Sequence, residues 1–199
     1  MKIVLTTHIA GGLMLGVAGC SGSTVQPPDV VPMTFQQQID AGTDMYDRSL
    51  LLPYSLPASI PTSGSAQYQG FVATDIAYAG VASNSVIGNL TLDANFANDT
   101  ISGSASNFVD IAGENYSGSL AVTNGDYDRS LDPNAFYTIA ADIGGTLTDT
   151  GAVTYAVDGE IFADFIGVNH QFIDGVLEGT VTSIDGVGTF QDGAVIVER

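Results

Sequence analysis

The 199-residue chain has no tryptophan, one cysteine, two histidines and only four basic residues. A single cysteine excludes an internal disulfide framework. Four Lys and Arg stand against 22 Asp and Glu, a formal net charge of −18. That balance excludes the phosphate-neutralising surface that nucleic acid requires, and it disfavours anionic lipid surfaces. It leaves two readings: attraction of a basic partner or of cations, and plain solubility in a salty habitat, of which solubility is preferred. Proline nearly vanishes after residue 61. Six of the seven lie within residues 20–64, and Pro133 is the exception. No apolar run reaches the roughly 20 residues needed to span a bilayer core as a helix.

What is present begins with Met1 and Lys2, an apolar run from about Ile9 to Ala18, and then Gly19 and Cys20. A basic start, a short hydrophobic centre and small residues before a cut have the layout of a secretory signal. Val17-Ala18-Gly19-Cys20 resembles the bacterial lipobox. That resemblance implies that Cys20 becomes the first mature residue and carries a diacylglycerol on its sulfur. It also implies, with Ser21 following, sorting to the outer membrane. Two or three acyl chains give firm attachment, since each buried CH₂ adds about 0.8 kcal/mol. From residue 20 onward the chain keeps three arginines and all 22 acids, a net charge of −19.

Three zones follow: a signal over 1–19, a lipidated Pro-rich linker over 20–64, and a domain over 65–199. Proline-rich spacers are semi-extended and stand a domain off its anchor. Within the linker, Thr34-Phe35-Gln36-Gln37 has the Ser/Thr-x-x-Glu/Gln capping pattern, and Phe35, Ile39, Met45 and Tyr46 fall near helical spacing. A short helix is expected at about 34–46, packed on the domain or plugging it. From Ser65 the pattern changes to period two. Leu90, Leu92, Ala94 and Phe96 share one face, and Asn89, Thr91, Asp93 and Asn95 share the other. About eight strands are expected, at 66–74, 86–96, 99–108, 116–123, 135–148, 152–165, 174–183 and 187–197. Asp185-Gly186 marks one hairpin turn. Glycines inside strands relieve crowding where strands bend sharply, and closure removes exposed edges. The expected fold is therefore all-β: an eight-stranded antiparallel soluble β-barrel, preceded by the Pro-rich linker with its short helix. A membrane barrel is disfavoured because tryptophan girdles are missing and acids such as Asp93, Asp142, Asp158 and Asp164 sit in the strands.

From Gly64 onward the chain resembles the small β-barrel domain of transferrin-binding-protein-B-like surface lipoproteins. The carriers are the hairpin Leu90-Thr91-Leu92-Asp93-Ala94-Asn95-Phe96-Ala97-Asn98-Asp99-Thr100-Ile101-Ser102-Gly103 and the closing Gly159-Glu160-Ile161-Phe162-Ala163-Asp164-Phe165-Ile166-Gly167 with Gly175-Val176-Leu177-Glu178-Gly179. The family's Phe-Tyr-Gly-Pro reads Phe165-Ile166-Gly167-Val168 here, and its Glu-Val-Gly-Gly is replaced by Val176-Leu177-Glu178-Gly179. There is room for one barrel only, so transferrin binding and the family's contact residues are not carried over. The resemblance implies a surface-displayed binding module for a protein or an iron-related ligand.

Little points to catalysis. Beyond the signal, only His170 could serve a Ser-His-Asp triad, and Gly167-Val168-Asn169-His170-Gln171 reads as a loop with a solvated histidine. A haem or metal role for His170 needs partners from other strands. Asn124, Asp126, Asp128 and Asp132 alternate oxygen side chains in the manner of a calcium loop. Arg129 stands where such a loop needs glycine, and Ala135 where it needs glutamate, so an acidic turn with Arg129 pairing locally is preferred. Tyr116, Tyr127 and Tyr137 are candidates either for a protein contact or for core positions. The chain is read as a non-enzyme without a cofactor: an outer-membrane-anchored lipoprotein whose barrel binds a protein or iron-related ligand. The alternative is a structural acidic envelope lipoprotein with no small ligand. Its expected partners are the membrane, through lipid on Cys20, and that ligand, with no nucleic acid.

Overall fold

The computed structural model describes residues 32–79, 83–132 and 137–199. Cys20 and the signal segment lie outside the described residues. Residues 32–199 form one compact unit. The chain runs through α1 (Phe35–Ser49), a 3₁₀ turn (Pro57–Ser59) and eight strands. These are β1 (Ser65–Tyr78), β2 (Asn84–Asn95), β3 (Thr100–Asp110), β4 (Asn115–Tyr127), β5 (Ile139–Thr148), β6 (Thr154–Ile166), β7 (Phe172–Ser183) and β8 (Gly186–Glu198). Each strand pairs antiparallel with its sequence neighbour, and β1 pairs with β8, which closes the barrel. The expected eight-stranded barrel is thus present; β1 and β4 run on past their expected ends to Tyr78 and Tyr127, and β5 and β6 start later than expected, at Ile139 and Thr154.

Alternation puts the apolar set inside. Leu90, Leu92 and Ala94 of β2, Ile139 and Ile143 of β5, and Ile161, Ala163 and Phe165 of β6 all join one buried cluster. The polar alternates Asp93, Asp142, Asp158 and Glu160 fall on the opposite, outward face. A small barrel has little room, and glycine supplies it at defined points. Gly159 and Gly179 face each other in register. A Cβ on either would lie 3.1–3.3 Å from the Phe190 ring, so the ring takes the place of two side chains. Gly103 is tighter still: its Cβ would sit 2.0 Å from the Thr91 carbonyl oxygen.

Thr34 caps α1 as its pattern predicts. The Thr34 hydroxyl accepts from the Gln37 amide (3.3 Å), and the Gln37 side chain accepts from the Thr34 amide (2.9 Å). The helix packs on the outside of the barrel and does not plug it. Phe35, Ile39 and Met45 cover Phe71, Ile87 and Val109, residues that point away from the barrel interior. Proline does not keep the described part of the spacer extended from the barrel. Pro53 and Ser55 exchange backbone hydrogen bonds with Gly167 and Phe165 (2.7 and 2.9 Å), and Ile60 is buried in the core.

The barrel end that carries the β2–β3, β4–β5 and β6–β7 turns is filled by aromatic rings. Phe165 contacts Tyr68, Phe96, Tyr127 and His170, with ring centroids 5.4–6.1 Å apart. His170 is therefore not the solvated loop residue expected. It is 5% exposed, and its backbone carbonyl accepts from the Tyr68 hydroxyl (2.8 Å). Burial, reinforced by the charge of Arg199, lowers its pKa below the ordinary 6.5. The unfolded chain then binds more protons than the native one below that pH. Stability contributed by neutral His170 is lost as pH falls from about 6.5 toward the lowered value. His170→Asn, which tolerates the positive φ of 57° at this position, is expected to flatten that slope in urea melts between pH 7 and 5. An unchanged slope would count against the account.

Candidate functional site

Two of the concavities among the described residues lie at opposite kinds of place. The first is the barrel mouth at the end opposite the aromatic plug, a cup of about 430 Å³ lined by Ile76, Tyr78, Val86, Tyr116, Leu147 and Tyr155 among others. Its polar groups are mostly satisfied internally. Tyr116 and Asn84 both donate to Asp110 (3.3 and 3.1 Å), and Tyr155 donates to Asp149 (3.0 Å). Burial pushes the Tyr155 hydroxyl up to about 12 and the Tyr116 hydroxyl higher still, so both remain protonated donors. The Tyr78 hydroxyl is buried and has no hydrogen-bond partner among the described residues.

The second is a groove of about 510 Å³ between α1 and the outer wall of β1, β6, β7 and β8. Its floor is small: Gly175 and Val176 of β7 and Gly193 and Ala194 of β8. Its rim is aromatic, and each ring has its own support. Tyr46 stands one turn after Gly42, where α1 lies against the Phe71 ring at ordinary contact distance. Tyr54 is held by the backbone bonds of Pro53 and Ser55 and bridges Ile166. Tyr137 has a positive φ of 53° and lies 6.3 Å, centroid to centroid, from Phe162.

Two carboxylates complete the groove. Asp164 of β6 and Asp174 of β7 are direct cross-strand partners on the outward face. Cβ atoms so paired are about 5 Å apart, and like charges there repel. Asp164 accepts from the Thr138 amide and hydroxyl (2.8 and 2.9 Å), and Asp174 accepts from the Ser49 hydroxyl (3.3 Å). Burial, and further down the facing Asp164 charge, raise the Asp174 pKa, while Ser49 and the Gly175 amide pull it the other way. Tyr54 is raised first by burial, then by the charges of Asp174 and Asp164. Among the described residues the ion pairs are Arg48 with Asp44 and Glu198, and Arg129 with Asp99. No described arginine neutralises the Asp164–Asp174 pair.

Like charges in this direct register repel one another. Asp164→Asn keeps the oxygen that accepts from Thr138 and removes one charge. It is expected to raise stability by roughly 0.5–1 kcal/mol at pH 7, measured by chemical denaturation. A raised native pKa at Asp174 contributes stability below its ordinary value, and that stability is lost as pH rises through the raised one. The gain from Asp164→Asn should therefore shrink as Asp174 protonates in acid.

The sequence-predicted site residues fall elsewhere. Asn124, at a bulge in β4, donates to Asp142 (2.7 Å). Asp126 lies opposite Thr100 and Ala140, and Asp128 accepts from the Ser130 amide and hydroxyl (2.7 and 2.6 Å), which lowers its pKa. Asp132 is exposed in the β4–β5 connection. Among the described residues no group of three or more His, Cys, Asp or Glu is arranged to hold a metal ion. Arg129 pairs not with this acidic stretch but with Asp99 of the β2–β3 turn. Of the three tyrosines, Tyr127 is core, Tyr116 lines the mouth and Tyr137 rims the groove. Asp174 and Tyr54 were not singled out by the sequence, and Tyr46 was read only as part of the helix pattern. The signal for Asp174 was present, because Asp164 and Asp174 are equidistant from residue 169 at the centre of their hairpin turn.

No described helix is long and apolar enough to cross a membrane. No family model matches the chain, and no curated protein or solved structure matches it.

Proposed function

We propose that this chain is a lipid-anchored outer-membrane binding module whose barrel presents its outer groove to a protein partner. The observation that carries the reading is the groove of about 510 Å³ between α1 and the barrel wall, with aromatic rings around a pair of carboxylates that no described arginine neutralises. Two facing like charges repel, and a cationic group of a partner would relieve that repulsion. The leader and Val17-Ala18-Gly19-Cys20 support the anchor. The apolar interior and acidic outer faces support a barrel that stands in water. The barrel mouth is less favoured because most of its polar groups already pair with one another.

The test has two arms. Intact mass of the chain extracted from bacterial membranes should carry acyl groups on Cys20, and Cys20→Ser should move it out of the membrane fraction. In the anchored chain, a photocrosslinker placed at Ala194 in the groove floor should give a discrete adduct that an additional Tyr54→Ala substitution removes. An unmodified Cys20, or no adduct at Ala194, overturns the reading.

A further inference from the structure

The occupant's chemistry can be named more closely, on the basis of that reading. We propose that the groove is an arginine pocket: Asp164 and Asp174 receive the guanidinium of a basic partner while Tyr46, Tyr54 and Tyr137 pack on its plane. The carboxylates sit side by side on adjacent strands, in direct register. A planar fork of N–H donors can span such a pair, whereas an ammonium is a single point of charge. Arginine is also the cation that stacks on aromatic faces, and three rings rim this groove. The floor of Gly175, Val176, Gly193 and Ala194 accepts the apolar stem of the side chain. A metal ion is a poorer fit, because two carboxylates give too few ligands and no third His, Cys, Asp or Glu joins them among the described residues. The formal charge of −18 adds long-range attraction for a basic partner, and the groove fixes where it docks.

The experiment uses acetyl-Gly-Arg-Gly-amide and its citrulline counterpart, which has nearly the same shape and no charge. Titration into the acyl-free chain from residue 21 onward, followed by NMR, should shift the ring signals of Tyr46, Tyr54 and Tyr137 with the arginine peptide. The citrulline peptide should bind at least tenfold more weakly, and the lysine peptide several-fold more weakly. Asp164→Asn and Asp174→Asn should each weaken arginine binding about tenfold. Asp93→Asn and Asp142→Asn, elsewhere on the outer face, should change it less than twofold. Equal binding of arginine and citrulline, no ring shifts, or equal losses in all four variants overturns the pocket. If the pocket fails while the Ala194 crosslink persists, the binding module stands and only its ligand class is wrong. If the pocket holds while Cys20 is unmodified, the anchored module falls and the recognition chemistry stands.

Discussion

Phe165→Ala is expected to cost about 3–5 kcal/mol of unfolding free energy, the range for a fully buried aromatic truncated to a methyl. Phe165 is 1% exposed and lies at the hub of the aromatic end, in contact with Tyr68, Phe96, Tyr127 and His170. Four rings lose a neighbour at once, and a closed cylinder of sheet cannot collapse to fill the gap, since its radius is set by strand number and stagger. The cost should sit at the upper part of the range. Phe190→Ala, at a half-buried ring over the Gly159–Gly179 pair, should cost clearly less. Denaturant midpoints of the two variants decide the matter: equal losses would mean that the plug is not the tightest part of the core.

The second large effect is expected at Arg129. Its guanidinium donates to the carbonyls of Ile60 (3.3 Å), Phe96 (2.6 Å) and Pro61, to the Tyr127 hydroxyl (3.1 Å) and to Asp99. It also lies over the Tyr127 ring, 5.1 Å from the centroid. One side chain thus ties the segment before β1, the β2–β3 turn and the end of β4 together. Arg129→Met keeps the apolar stem and strands three carbonyls. At about 1 kcal/mol or more for each unsatisfied group, the loss should be roughly 3 kcal/mol. The ion pair itself contributes little of this, because Asp99 is 45% exposed. Asp99→Asn should cost only about 0.5 kcal/mol. Limited proteolysis should cut Arg129→Met between residues 56 and 64 before any strand, and leave Asp99→Asn intact there. Equal costs for the two substitutions would show that the ion pair, not the carbonyl clamp, holds the segment.

The barrel was readable because its half-buried strands announce themselves. Leu90, Leu92 and Ala94 alternate with Thr91, Asp93 and Asn95, and no other backbone shape puts such a set on one face. The N-terminus of α1 was readable for a similar reason, since the capping box is local chemistry. The helix end was less so: α1 runs on to Ser49, where Arg48 and Ser49 meet Glu198 of β8 and Asp174 of β7, and propensity alone does not report that. His170 was misplaced because burial depends on what else reaches the turn, and Tyr68 comes from β1, 102 residues away. The groove was the least legible part. Its rings come from α1, from the segment before the 3₁₀ turn and from the segment just before β5, which meet only after closure. Arg129 was assigned to nearby acids for the same reason, its partners being about 30 and 69 residues away.

Pairing of β1 with β8 joins residues 69–78 to 188–198. The first strand thus waits for the last, and every intermediate short of residue 186 is an open ribbon with two unsatisfied sides. Such a topology ripens slowly, because its final seam links segments more than 100 positions apart. Until then each growing copy offers its neighbours two adhesive borders. Residues 188–198 therefore act as the latch of the barrel, and a chain cut short before them would be sticky rather than merely shorter.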